Sequence, residues 1–83
     1  MKTHTANATD TNNKPIGLVD LRIETYPDGR PLIVEHKGVA FFATTKTGTN
    51  IATGKTVYEL SNTDNNTDQR IWVSSDLRNI YED

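Results

Sequence analysis

The sequence predicts an all-β domain, and three observations support this prediction. Apolar and polar residues alternate from Leu18 to Thr25 with the two-residue period of a half-buried strand. Turn sequences containing glycine follow at short intervals, first Tyr26-Pro27-Asp28-Gly29 and then His36-Lys37-Gly38. No segment keeps a helical period over two turns. We therefore expect an antiparallel meander of five to six short strands.

Length and composition limit what this domain can be. The chain has 83 residues, enough for one small domain, and no cysteine, so disulfides and thiolate metal sites are excluded. Its formal net charge of −2 disfavours a dedicated nucleic-acid-binding protein, because such proteins usually carry strong positive potential. The chain also lacks a long apolar run, so we expect a cytoplasmic protein with no membrane contact.

The first 15 residues differ in composition from the rest. They are mostly threonine, asparagine, alanine and aspartate, with few side chains that could be buried. Such a composition does not offset the entropy lost on ordering. We predict a disordered N-terminal arm over residues 1–15 and a single small β-barrel domain over residues 16–83.

The strands of the predicted barrel follow in order along the chain. After the first alternating segment, the apolar and β-branched residues predict strands over 30–35, 39–46, 56–60, 70–73 and 78–81. The polar residues 62–69 predict a solvated loop. Ser74-Ser75-Asp76-Leu77 predicts one 3₁₀ turn before the last strand, because serine and aspartate favour the start of a helical turn.

The C-terminal half resembles SH3-like small barrels. The elements that carry the resemblance are TGKTVYEL, RIWV, the turn SSDL and the final strand RNIY. The resemblance implies a fold rather than an activity, because many unrelated proteins share this architecture. Proline-rich peptide binding is not implied, since the paired tryptophans and the aromatic segment of signalling SH3 domains are missing here.

The stretch GTNIATGKT, Gly48 to Thr56, is similar to a phosphate-binding loop but has the wrong spacing. Such a loop needs four residues between its first glycine and Gly-Lys-Thr, whereas five separate Gly48 from Gly54. It should also open a helix, and here a strand is expected to follow. We interpret the stretch as a hairpin loop whose glycines form its corners.

Two further patterns are similar to a metal site or a catalytic site. The oxygen-bearing residues from Asp64 to Asp68 are similar to the start of a calcium loop, but Gln69 stands where that loop needs glycine. His36 is expected in a turn, without a nearby carboxylate and hydroxyl arranged for nucleophilic catalysis. The sequence therefore predicts no catalytic residue, no metal site and no cofactor.

The aromatic residues indicate where a partner could dock. Phe41 and Phe42 are adjacent and point to opposite faces of a strand, so one of them must leave the core or meet a second apolar layer. Trp72 likewise points opposite to Ile71 and Val73, and the pattern leaves open whether it is buried or exposed. The predicted docking face consists of Trp72, Tyr58, Arg70 and Arg78.

These features favour a non-enzymatic protein-interaction module. Small acidic β proteins without cysteine are often accessory proteins or inhibitors, including phage- and plasmid-encoded ones, and this analogy suggests a protein partner. The alternatives are a nucleic-acid-binding barrel that uses its lysines and arginines with Trp72, and an oligomeric enzyme whose site forms between subunits. Exposed strand edges also leave a homodimer open as an arrangement.

Overall fold

A computed structural model describes residues 1–62 and 69–83 of the chain, and in these ranges it contains seven β-strands. The strands are β1 (Lys2–Thr9), β2 (Pro15–Thr25), β3 (Pro31–His36), β4 (Val39–Thr49), β5 (Thr56–Asn62), β6 (Gln69–Ser74) and β7 (Asn79–Glu82). The predicted all-β small barrel is confirmed, but with seven strands rather than five to six.

The strands form a closed barrel in which sequence neighbours are also neighbours in space. Every consecutive pair is antiparallel, whereas the closing pair of β1 and β7 is parallel. The parallel closure follows from the strand number, because an up-and-down meander with an odd number of strands begins and ends in the same direction.

Apolar side chains that point inward from the strands fill the barrel interior. Leu21, Val34, Leu60, Val73 and Ile80 are fully buried. Around them pack the other members of the core, namely Ala6, Ala8, Ile23, Phe41 and Ile71. One interior layer of medium-sized side chains is what a barrel of this size can enclose.

The first strand lies where the sequence predicted a disordered arm. Residues Lys2–Thr9 pair with β2 along their whole length, and Asn7–Thr9 also pair with β7. Ala6 and Ala8 are each only 1% exposed, so their methyl groups are part of the core. Composition alone does not predict this strand, because small residues at alternate positions are sufficient where the backbone is hydrogen-bonded on one or both sides.

Two of the turns have the local structure that the sequence predicts. In the β2–β3 turn, the Gly29 N–H donates to the Tyr26 carbonyl (2.9 Å), and Gly29 has a φ of 93°. Between β3 and β4, Lys37 and Gly38 have φ values of 53° and 75°. Positive φ at both central residues is the geometry of a type I′ hairpin turn, which matches the right-handed twist of its strands.

The turn between β6 and β7 corrects the predicted 3₁₀ segment. The Leu77 N–H donates to the Ser74 carbonyl (2.9 Å), and Leu77 has a φ of 62°, so this is a single β-turn. Asp76 holds it by accepting hydrogen bonds from the Ser74 hydroxyl and the Arg78 N–H. The described residues include no helix, and none that could cross a membrane.

Candidate functional site

The outer surface of the barrel carries a row of side chains that crosses five strands. The strand register places Glu24 opposite Ile33, Ile33 opposite Phe42, Phe42 opposite Ser61, and Ser61 opposite Arg70. Residues directly opposite each other on paired strands share a face of the sheet. The row therefore has two apolar residues near its centre, a carboxylate at one end and a guanidinium at the other.

Phe42 is the most exposed apolar residue of this row. Its neighbour Phe41 lies in the core and is 4% exposed, whereas Phe42 is 51% exposed. This answers the question raised by the adjacent pair of phenylalanines: Phe42 leaves the core, and the described residues do not cover it with a second layer. Half-buried Ile33 extends the apolar surface onto β3.

Trp72 lies on the same outer face, two residues along β6 from Arg70. It is half-buried rather than either core or fully exposed. Gly48 explains how it is partly covered: a Cβ atom built there would lie 3.5 Å from Trp72 Cζ3 and 3.6 Å from Val57 Cγ2. The missing side chain lets the indole ring lie close to the backbone of β4. We call Ile33, Phe42, Arg70 and Trp72 the outer-face patch.

The structure divides the four residues of the predicted docking face. Trp72 and Arg70 share the outer face. Tyr58 lies opposite Val73, which is fully buried, so Tyr58 is on the inward-facing side of β5. Arg78 is exposed beside the β6–β7 turn, where its carbonyl accepts a hydrogen bond from the Asn7 N–H (2.8 Å).

Sequence reasoning missed Ile33 and Phe42 as members of this face. The adjacency of Phe41 and Phe42 was a usable signal, since one of the two had to point outward. The lateral neighbours of Phe42 could not be found from the pattern, because they depend on the register of β3 and β5.

The stretch Gly48 to Thr56 includes the predicted hairpin loop between β4 and β5, but Gly48 lies within β4, opposite Val57, rather than at a corner of the loop. Asn50 organises this loop: its side-chain oxygen accepts hydrogen bonds from the N–H groups of Ala52 (2.9 Å) and Thr53 (3.1 Å). The Gly54 N–H donates to the Asn50 carbonyl (2.7 Å). Three of the N–H groups that a phosphate loop would direct at its ligand are thus bonded within the loop.

His36 is not the turn residue that the sequence suggested. It ends β3, is 5% exposed and points into one mouth of the barrel. Its Nε2 lies 3.0 Å from Glu82 Oε2, and Lys37 Nζ lies 2.8 Å from the same oxygen. These hydrogen bonds, first that of Lys37 and then that of His36, lower the pKa of Glu82. The three residues help to line a cavity of about 250 Å³.

The described residues contain no cluster of metal ligands. In residues 1–62 and 69–83, no group of three or more histidine, aspartate or glutamate side chains could hold a metal ion. The calcium-like pattern of Asp64 to Asp68 lies outside the described residues.

Comparisons with models of protein families, with curated proteins and with solved structures gave no match to this chain. Its function must therefore be inferred from its own geometry.

Proposed function

We propose that this chain is a non-enzymatic protein-interaction domain, a small barrel of the SH3-like type that binds a partner protein through its outer-face patch. The observation that carries the proposal is the position of Phe42, which is 51% exposed at the centre of a row whose ends are charged. An apolar centre with a polar rim is the usual composition of a protein-binding surface.

The residue types of the patch suit this role. Aromatic and arginine side chains supply most of the binding energy at protein interfaces, and the patch combines Phe42 and Trp72 with Arg70. The remaining exposed surface of a half-covered phenylalanine is about 100 Å², and its burial contributes about 2 kcal/mol. Phe42 alone would then account for about a thirtyfold gain in affinity.

Four of the nine lysines and arginines do not favour the nucleic-acid alternative. Arg22, Arg30, Lys37 and Lys55 each pair with a carboxylate of the same chain. Cations that already have carboxylate partners add little to the attraction of a phosphate backbone. A protein partner therefore remains the better proposal.

The proposal is tested by affinity capture with matched variants. The bait is the full chain, as wild type and as the variants Phe42→Ser and Leu18→Ser. Leu18 is the control because it is 70% exposed but lies six residues along β2 from Glu24, away from the patch. We expect one protein to be recovered in stoichiometric amount by wild type and Leu18→Ser, and lost with Phe42→Ser.

Other outcomes separate the alternatives. Recovery of nucleic acid alone, with an affinity that falls steeply with salt, would favour a nucleic-acid-binding barrel. A dimer in light scattering that dissociates with Phe42→Ser would mean that the partner is a second copy of this chain. A protein captured equally by all three baits would show that the outer-face patch is not the binding surface.

A further inference from the structure

A second cavity, of about 230 Å³, lies at the barrel end formed by the β2–β3 turn and the middle of β4. None of the four outer-face patch residues lines it, and the proposed function does not use it. Its lining includes two tyrosines, three threonines, the charged residues Arg30 and Glu59, and the apolar residues Pro31 and Ala43.

Glu59 is the unusual member of this lining. Its carboxylate belongs to a residue that is only 5% exposed, and removing a charge from water is costly unless the charge finds compensation. Thr44 Oγ1 donates a hydrogen bond to Glu59 Oε1 (3.0 Å). The other oxygen, Oε2, accepts no hydrogen bond within the part of the chain that the structure describes, and it is not fully buried, because every buried side-chain oxygen and nitrogen there has a hydrogen-bond partner.

A β-bulge creates the space in front of this carboxylate. Ala43 pairs with Leu60 and Thr47 pairs with Tyr58, so residues 44–46 of β4 lie opposite Glu59 alone. Thr44 stabilises the bulge, since its hydroxyl also accepts a hydrogen bond from the Lys46 N–H (3.1 Å). Bulges are common beside functional sites because they redirect side chains and open a gap in the ladder.

The charges at the rim do not neutralise Glu59. Arg30 lines the cavity, but its Nε lies 2.7 Å from Asp28 Oδ2 and its guanidinium lies 4.8 Å from the centre of the Tyr26 ring. The cation at the rim is thus paired with an exposed carboxylate of its own turn. Glu59 lines the same cavity as Tyr58 and the threonines, and its carboxylate forms no ion pair among the described residues.

We propose that this cavity binds an alkylammonium group, with Glu59 as the counter-ion and the rings of Tyr26 and Tyr58 around the carbon chain. Aromatic rings beside a carboxylate are the surroundings that favour an organic cation. The volume suits one aliphatic chain with its ammonium group rather than a larger ligand. The group has two chemical sources: a free amine, or a lysine side chain of another protein.

The experiment is a titration followed by amide chemical shifts of the full chain. The probes are n-butylammonium chloride, n-butanol as its neutral counterpart, and Nα-acetyl-lysine amide. We expect saturable shifts with both ammonium probes, centred on the amides of Thr44, Thr45 and Glu59, and none with n-butanol. Stronger binding of the lysine derivative assigns the site to a protein side chain, and stronger binding of butylammonium assigns it to a free amine.

Variants link the effect to the carboxylate. Glu59→Gln keeps the shape and the acceptor for Thr44 but removes the charge, and should weaken butylammonium binding by about tenfold or more. Thr45 is exposed, so Thr45→Lys should fold and should place a competing ammonium beside Glu59; it should weaken binding more than Thr45→Gln, which adds a side chain of similar length without the charge. Equal binding of butanol and butylammonium, unchanged binding by Thr45→Lys, or no saturable shift with either ammonium probe would overturn the proposal.

Discussion

His36 Nε2 lies 3.0 Å from Glu82 Oε2, and this contact joins β3 to β7 across one mouth of the barrel. The two residues are 46 positions apart in the sequence. Lys37 Nζ reaches the same oxygen from the β3–β4 turn, at 2.8 Å. One carboxylate thus holds three elements together at the end of the barrel that contains the β3–β4 turn.

Replacing this carboxylate should destabilise the fold in a pH-dependent way. Glu82→Gln should lower the free energy of unfolding by about 1–3 kcal/mol at neutral pH, the usual effect of losing hydrogen bonds to a charged group. The folded-state pKa of Glu82 is lowered, so its contribution is present above the ordinary glutamate pKa and is lost as the pH falls through the lowered value. Urea unfolding at pH 7 and pH 3 measures both free energies. A difference between wild type and Glu82→Gln that grows on acidification would contradict this explanation.

Asp76 should be the main electrostatic determinant of the β6–β7 turn. It accepts from Lys55 Nζ (2.7 Å), from the Ser74 hydroxyl and from the Arg78 N–H (3.1 Å), and these partners hold its pKa well below the usual range. Asp76→Asn should therefore cost about 1–3 kcal/mol of unfolding free energy at pH 7. Because the pKa of Asp76 is lowered in the folded state, this cost should persist as the pH falls and should disappear only in strong acid.

The matched control for Asp76 is Lys55→Met, which removes the ion pair but leaves the turn hydrogen bonds. The Lys55 side chain is 48% exposed, so this change should cost less than about 1 kcal/mol. Chemical denaturation of both variants makes the comparison. Equal costs would mean that the ion pair, rather than the turn hydrogen bonds, provides the stability.

The loop between β4 and β5 should depend on the side-chain oxygen of Asn50. Asn50→Ala removes the acceptor for two backbone N–H groups and should destabilise the protein by about 1 kcal/mol. Asn50→Asp keeps an acceptor in the same place and should be nearly neutral. Thermal unfolding of the two variants tests this, and an equal loss in both would show that the amide N–H₂ group is the important one.

Gly48 should control the position of the Trp72 ring. The atoms nearest to a Cβ atom at Gly48 lie at ordinary contact distances of 3.5 and 3.6 Å, so Gly48→Ala should fold with Trp72 in place. Gly48→Leu should displace the ring into solvent. Trp72 is the only tryptophan, so acrylamide quenching of intrinsic fluorescence reports on it alone. We expect quenching to rise in Gly48→Leu and not in Gly48→Ala. Equal quenching in both variants would show that the residue at position 48 does not control the position of the Trp72 ring.

Much of the fold could be predicted from local patterns. The alternation from Leu18 to Thr25 identified most of β2, and the glycines at 29 and 38 identified two hairpin turns. These signals are local: one residue's contribution to a turn or a strand face can be judged from its neighbours in the sequence. β1 was missed because Ala6 and Ala8 contribute little apolar area, although their small size suits an interior position.

The candidate site was less predictable because it depends on register. Tyr58 and Trp72 seemed neighbours in adjacent strands, but the register pairs Tyr58 with Val73 and Glu59 with Trp72, which places the two rings on opposite faces. The bulge at residues 44–46 contains no turn residue that would indicate it in the sequence. The cavity in front of Glu59 therefore could not be predicted from the sequence.

The most direct test of the protein-binding proposal uses Trp72 as a single reporter. With 5-fluorotryptophan at this position, the chain should give one ¹⁹F resonance, because the sequence contains one tryptophan. Addition of the captured partner should shift this resonance and reduce its sensitivity to a soluble paramagnetic agent, and Phe42→Ser should prevent both effects. A resonance that stays in place and equally accessible while the complex forms would contradict binding through the outer-face patch.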